Sequence, residues 1–184
     1  MIGALRQRLA SPQLPSQLRE LAANATAAAP VSLTLDLGQC ATDWLTTLPA
    51  GTPFWYQARP AEGHYQLGIG HAFQVTSAGA NRFAALDNAF FGLARHWRRN
   101  ATPLAFCGFA FGEHSQTPLP NALLAIPAIL LESRGGRCRA TLSTPAGKIA
   151  QAPAAWRQLL ATPARQHDYH LLPAGERTLA DRAW

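Results

Sequence analysis

The sequence predicts an α+β domain built on a largely antiparallel sheet with flanking helices. Three observations predict it. Apolar and polar residues alternate over 31–37, a strand–turn–strand pattern runs from Ala128 to Ser143, and a helical apolar stripe opens at Asn81. Several strands at short spacing, with helices between them, belong to that class.

Leu5, Leu9, Leu14, Leu18 and Leu21 recur at close to helical spacing, but Pro12 and Pro15 interrupt them. Two short helices or one broken helix are expected, then a loose connector over 22–30. Residues 31–37 read as a half-buried strand. Thr42 or Asp43 is placed to cap a short helix holding Trp44, Leu45 and Leu48, which Pro49 and Gly51 end. Residues 53–57 are aromatic and β-favouring, 59–63 form a turn, and 64–70 and 72–76 follow as two further strands of a meander. The helix from Asn81 presents Phe83, Leu86, Phe90, Leu93 and Trp97 on one face. A strand over 104–111 comes next, then an irregular extended piece over 119–126. Residues 128–133 and 137–143 make a hairpin about Arg134, Gly135 and Gly136. A last helix covers 154–161, before a polar tail. The chain thus divides into a helical segment and linker over 1–30, a sheet domain over 31–162, and a tail over 163–184.

Length and composition suit one domain with a sizeable core: 184 residues, 48% of them hydrophobic. Charged residues make up only 14%, so much of the surface is weakly polar, which points to a surface covered by another copy or another domain. The net charge of +6 rests almost wholly on arginine, with Lys148 the single lysine. The arginines are scattered, and the one tight group, Arg95, His96, Trp97, Arg98 and Arg99, is a weak basis for a nucleic-acid interface. Cys40, Cys107 and Cys138 are far apart with no CxxC spacing, which argues against a disulfide framework or a zinc site. Cys107, in an apolar run, and Cys40, just before a helix, read as buried free thiols of a reducing cytoplasm. No apolar stretch approaches the roughly 18 residues that span a membrane, and 1–8 leads into no signal-peptide core, so a cytoplasmic location is expected.

Residue types that carry chemistry are sparse. Gly68, Gly70 and Gly108 lack the strand–loop–helix context of a phosphate loop and read as strand glycines. His64 and His71 fall on opposite faces of a strand, while His167, Asp168 and His170 read as a solvated loop rather than metal ligands. There is no nucleophile elbow, and Glu113 and Glu132, the acids nearest the apolar strands, read as strand-end residues facing water. Trp55, Tyr56, Phe73, Phe106, Phe109 and Phe111 are expected to form one face of the sheet core.

Three stretches in order resemble isochorismate synthases of the menaquinone type, within the chorismate-utilising family. Residues 54–57 are similar to the aromatic strand that opens that family's sheet. Residues 65–73, with Arg82 and Phe83 at the next helix start, resemble its following strands and helix. Residues 106–111 resemble its aromatic strand, followed as in the family by a proline-bearing segment and a hairpin. Gly112 stands where the family usually has an acid, and 113–127 lack its tryptophan. The resemblance implies the N-terminal half of the ADC synthase-like fold. It places the general acid–base groups and the magnesium carboxylates in a second half, whose start Asp181 and Trp184 resemble. No catalytic, cofactor-binding or metal-binding residue is therefore assigned to this chain, and Lys148 sits in the wrong context for the family's base. The implied role is a scaffold for converting chorismate to isochorismate, inactive by itself, with magnesium belonging to the complete enzyme. Expected partners are a second copy or a separate catalytic-half polypeptide. The alternative is a stand-alone binding or assembly module, with an aromatic acid held by Trp55, Tyr56 or Phe109 and an arginine on its carboxylate.

Overall fold

The computed structural model describes residues 2–39, 52–102, 104–110 and 120–161. Two short helices open the described chain, α1 (Ile2–Leu9) and α2 (Leu14–Leu21), separated where Pro12 and Pro15 forbid a continuous ladder. Strand β1 (Pro30–Gln39) follows, then β2 (Phe54–Arg59) and β3 (His64–Ser77). Helix α3 (Arg82–His96) leads into β4 (Arg98–Arg99), β5 (Phe106–Phe109), β6 (Ala122–Arg134) and β7 (Arg137–Pro145), and α4 (Ala152–Ala161) closes the described chain. The expected helix around Trp44, the acid Glu113, Phe111, Cys40 and the tail histidines lie outside the described residues.

The strands form one seven-stranded sheet in the order β2-β3-β6-β7-β1-β4, with β5 beside β6. All these pairings are antiparallel except the two-residue β1–β4 contact. That α+β architecture is the expected one. The β6–β7 turn is closed by Gly135 and Gly136, whose φ angles of 57° and 82° lie where a tight hairpin needs glycine.

Two elements differ from expectation. The pieces 64–70 and 72–76 are not two strands of a meander but one strand, β3, carrying a bulge between His71 and Phe73. The pieces 119–126 and 128–133 contribute likewise to one strand, β6, running through Pro127. The two surprises have one cause. Pro127 sits opposite His71 beside the bulge, where the ladder is already interrupted and a missing N–H costs little.

The core lies on one face of the sheet. Val31, Leu33, Leu67, Ile69, Ile129, Leu131, Ala140 and Leu142 meet across the strands, and Leu5, Leu9, Leu14, Leu18, Trp156 and Leu160 from α1, α2 and α4 close over them. Residues 2–21 therefore pack into the same core as the sheet. Arg6 donates to the carbonyl of Leu160 at 2.8 Å, tying α1 to the end of α4. Apart from Trp156, the buried side chains of this core are aliphatic or small. The aromatic residues expected in it lie partly outside: Tyr56 is exposed, and Phe109 is 48% exposed. A smaller cluster, Leu86, Ala122 and Leu124, seats α3 against β3 and β6.

Candidate functional site

Opposite the helix-covered core, the other sheet face carries a polar row. The registers align Gln57 with Gln66, Gln66 with Glu132, Glu132 with Arg139 and Arg139 with Asp36, so five strands each contribute a polar side chain to one line. Strand alternation requires this: the row residues of β3, β6 and β7 stand next to the core residues Leu67, Leu131 and Ala140. Gln66 is buried and donates through Nε2 to Glu132 Oε2 at 2.9 Å, and His64 Nε2 stands 3.7 Å from the same oxygen. Glu132 is thus half-buried and held from two sides, not a strand-end acid facing water.

Hydroxyl pairs extend the polar face toward Trp97, just past α3. Thr34 and Thr141 lie 2.8 Å apart, as do Ser32 and Ser143, and Trp97 Nε1 donates to Ser32 Oγ at 2.8 Å. Asn100 fixes the sheet margin: its Oδ1 accepts from the Thr34 N–H at 2.7 Å, and its Nδ2 donates to the Thr34 carbonyl at 3.0 Å. A side-chain amide there imitates a further strand residue.

The sequence candidates fall into separate places. Trp55 stacks on Phe106, with ring centroids 5.7 Å apart and planes 12° from parallel, and donates through Nε1 to His71 Nε2 at 3.3 Å. Because that nitrogen accepts, His71 carries its proton on Nδ1 and donates to Gln74 Oε1 at 2.7 Å. Tyr56 follows Trp55 in the strand and points to the opposite face, while Phe109 packs against Phe83 at 4.9 Å. Trp55, Tyr56 and Phe109 therefore do not line one cavity. His64 and His71 are engaged separately, and Gly68 and Gly70 are strand residues as read. Arg95 and His96 end α3, whereas Arg98 and Arg99 enter β4 and alternate in direction, which breaks up the basic group.

The cysteines depart from expectation. Cys107 is exposed rather than buried, although partial burial of its sulfur pushes the thiol above its ordinary value. Cys138 is fully buried and disulfide-bonded, although the cysteine spacing argued against a disulfide. The miss is physical: wide spacing in sequence says nothing about proximity once distant strands pair.

Among the described residues no group of three or more His, Cys, Asp or Glu side chains comes together to hold a metal ion. Glu132, with an amide and an imidazole beside it, does not fit the oxygen-rich set that magnesium requires. What this face offers is a line of paired polar side chains that crosses five strands.

An antiparallel sheet closed by helices on one face and lined by polar side chains on the other places the chain among α+β sheet domains. A family model described as chorismate binding enzyme matches residues 17–178, and the chain belongs to that family. The fold is also similar to that of MenF, the menaquinone-specific isochorismate synthase from Escherichia coli, with a TM-score of 0.51 and 17% sequence identity. That similarity covers 86% of this chain but 35% of the enzyme, so the chain spans about a third of its length. No curated protein sequence matches the chain.

Proposed function

We propose that this chain is a scaffold region of an isochorismate synthase-like protein, supporting conversion of chorismate to isochorismate without itself carrying out the chemistry. The observation that carries the reading is the two-sided sheet of a family member: one face is closed by three helices, and the other is lined by a cross-strand polar row. A face of that kind is suited to receive a second layer. The catalytic half of the family, with its magnesium, is the occupant proposed for it. Self-association belongs to the same reading, since Phe54 and Tyr56 stand exposed on β2, at the margin of the sheet.

Among the described residues no helix is long and apolar enough to cross a membrane. A cytoplasmic location is proposed on the strength of the role alone. The proposed product is isochorismate, whether it serves menaquinone or another end product.

The test is an assay of isochorismate formation from chorismate and magnesium, with the chain alone and with a polypeptide supplying the family's catalytic half. The chain alone should be inert, and the mixture should turn over. Turnover by the chain alone overturns the reading. Sedimentation across a wide concentration range tests association, and a monomer throughout would count against it.

A further inference from the structure

A groove of about 420 Å³ lies where α4 crosses the β3 bulge and the end of β7. Its volume is in the range that small organic ligands occupy. Four alanines, Ala72, Ala128, Ala152 and Ala155, leave the space open, and Leu159 and Pro145 add apolar wall. Lys148 and Gln151, both exposed, belong to the same lining.

Backbone and side-chain hydrogen bonds hold parts of the lining in place. The turn carrying Lys148 is clamped to the connector before β1: Ala146 N–H donates to the Ala29 carbonyl and Gly147 N–H to the Ala27 carbonyl, each at 2.9 Å. The Gln151 N–H donates to the Lys148 carbonyl at 3.1 Å, which keeps the two residues within one turn of chain. His71, also in the lining, is fixed by Trp55 and Gln74 through both ring nitrogens and offers a ring wall rather than a donor. Among the described residues no carboxylate pairs with Lys148. A lysine with no carboxylate partner among the described residues and an amide therefore line a small, largely apolar groove.

We infer that this groove binds a small organic carboxylate with a compact apolar body, its carboxylate on the Lys148 ammonium and its body against the alanines. The ammonium supplies a charge-assisted hydrogen bond, and the hollow beneath it removes the apolar part from water. A free phosphate would share the cation but leave the alanine wall unused. The inference stands apart from the scaffold reading, because it concerns binding and requires no turnover.

The test is titration of the full ¹⁵N-labelled chain with benzoate and, separately, with inorganic phosphate, followed by NMR. Benzoate should produce saturable shifts at Lys148, Gln151, Ala155 and His71. Lys148→Met keeps the stem and removes the charge, and it should weaken benzoate by about tenfold or more. Ala155→Leu fills the hollow from an exposed helix position and should abolish binding while leaving the rest of the spectrum in place. The inference is overturned if benzoate gives no saturable shift, if either variant binds it as the parent does, or if phosphate binds more tightly than benzoate. Because the readout is binding, a chain inert in the isochorismate assay can still pass this test, and an active one can fail it.

Discussion

Gly68 is the position where one methyl group tests the packing of the bent sheet. A Cβ built there would lie 3.0 Å from Phe106 Cε2 and 3.0 Å from Pro127 Cβ. The two neighbours differ in how they can yield. Phe106 is a side chain, but it is stacked on Trp55, so moving it disturbs that contact too. Pro127 is fixed to the β6 backbone opposite the bulge and gives way only if the strand shifts. Gly68→Ala is therefore an overpacking change, expected to cost about 1–3 kcal/mol. For a chain of this length that is a fall of about 2–12 °C in Tm. The assay is thermal unfolding by circular dichroism, with Gly92→Ala as the control. Gly92 lies inside α3 with nothing within 4 Å of a built Cβ, so the same substitution there should stabilise by about 0.5–1 kcal/mol. Adding Phe106→Leu to Gly68→Ala should leave the double variant more stable than the sum of the single effects predicts. A Gly68→Ala protein as stable as the parent would refute the reasoning.

Other substitutions probe the two faces of the sheet. Ser32→Ala strands the buried Trp97 indole N–H and should cost about 1–3 kcal/mol in urea unfolding, whereas Thr34→Ala, nearer solvent, should cost less. Leu131→Ala, in the fully buried centre of the core, should cost about 2–5 kcal/mol, and a smaller loss would mean that the helices collapse onto the gap. Partial burial raises the Cys107 thiol, so the native protein should be alkylated there by iodoacetamide more slowly than the urea-unfolded chain at about pH 8. The sign for stability follows from the raised value. The folded state holds the proton to higher pH than the unfolded one, so this thiol has its full stabilising effect below the unfolded pKa and forfeits stability as pH climbs toward the folded value. Equal alkylation rates at Cys107 in the two states would remove the effect.

The aliphatic framework was legible in the sequence because its period is simple. Val31 and Leu33 on β1, Ala140 and Leu142 on β7, and the leucines of α1 and α2 lie on the faces that alternation and helical spacing assign. The bulge and Pro127 were not legible, because each alone reads as a strand break and only their apposition lets both strands continue. β4 was hidden for a different reason: two arginines beside a helix end carry no strand signal, and the pairing depends on Val31 and Ser32 of a distant strand. The aromatic residues misled because hydrophobicity predicts burial but not which layer supplies it. Three helices fill the core largely with leucine before the rings are needed. Of the candidate site, the row from Gln57 to Asp36 is invisible without the registers, since its members are spread along the chain. Lys148 was visible as the single lysine, but its groove depends on how α4 settles over the bulge.

The strand order has a consequence for how the chain is made. β1 leaves the ribosome long before its main partner, β7, since Val31 pairs with Thr144. α1 waits longer still, because the carbonyl that Arg6 caps belongs to Leu160. During synthesis the earlier strand and its leucine-rich helices can meet one another, but they spend the whole interval without β7 and α4. Such delayed, long-range pairing is slow and leaves apolar surface open to wrong contacts. The period of greatest exposure to misfolding comes before β7 is complete. A chaperone that shelters α1, α2 and β1 would act where the topology makes the chain most vulnerable.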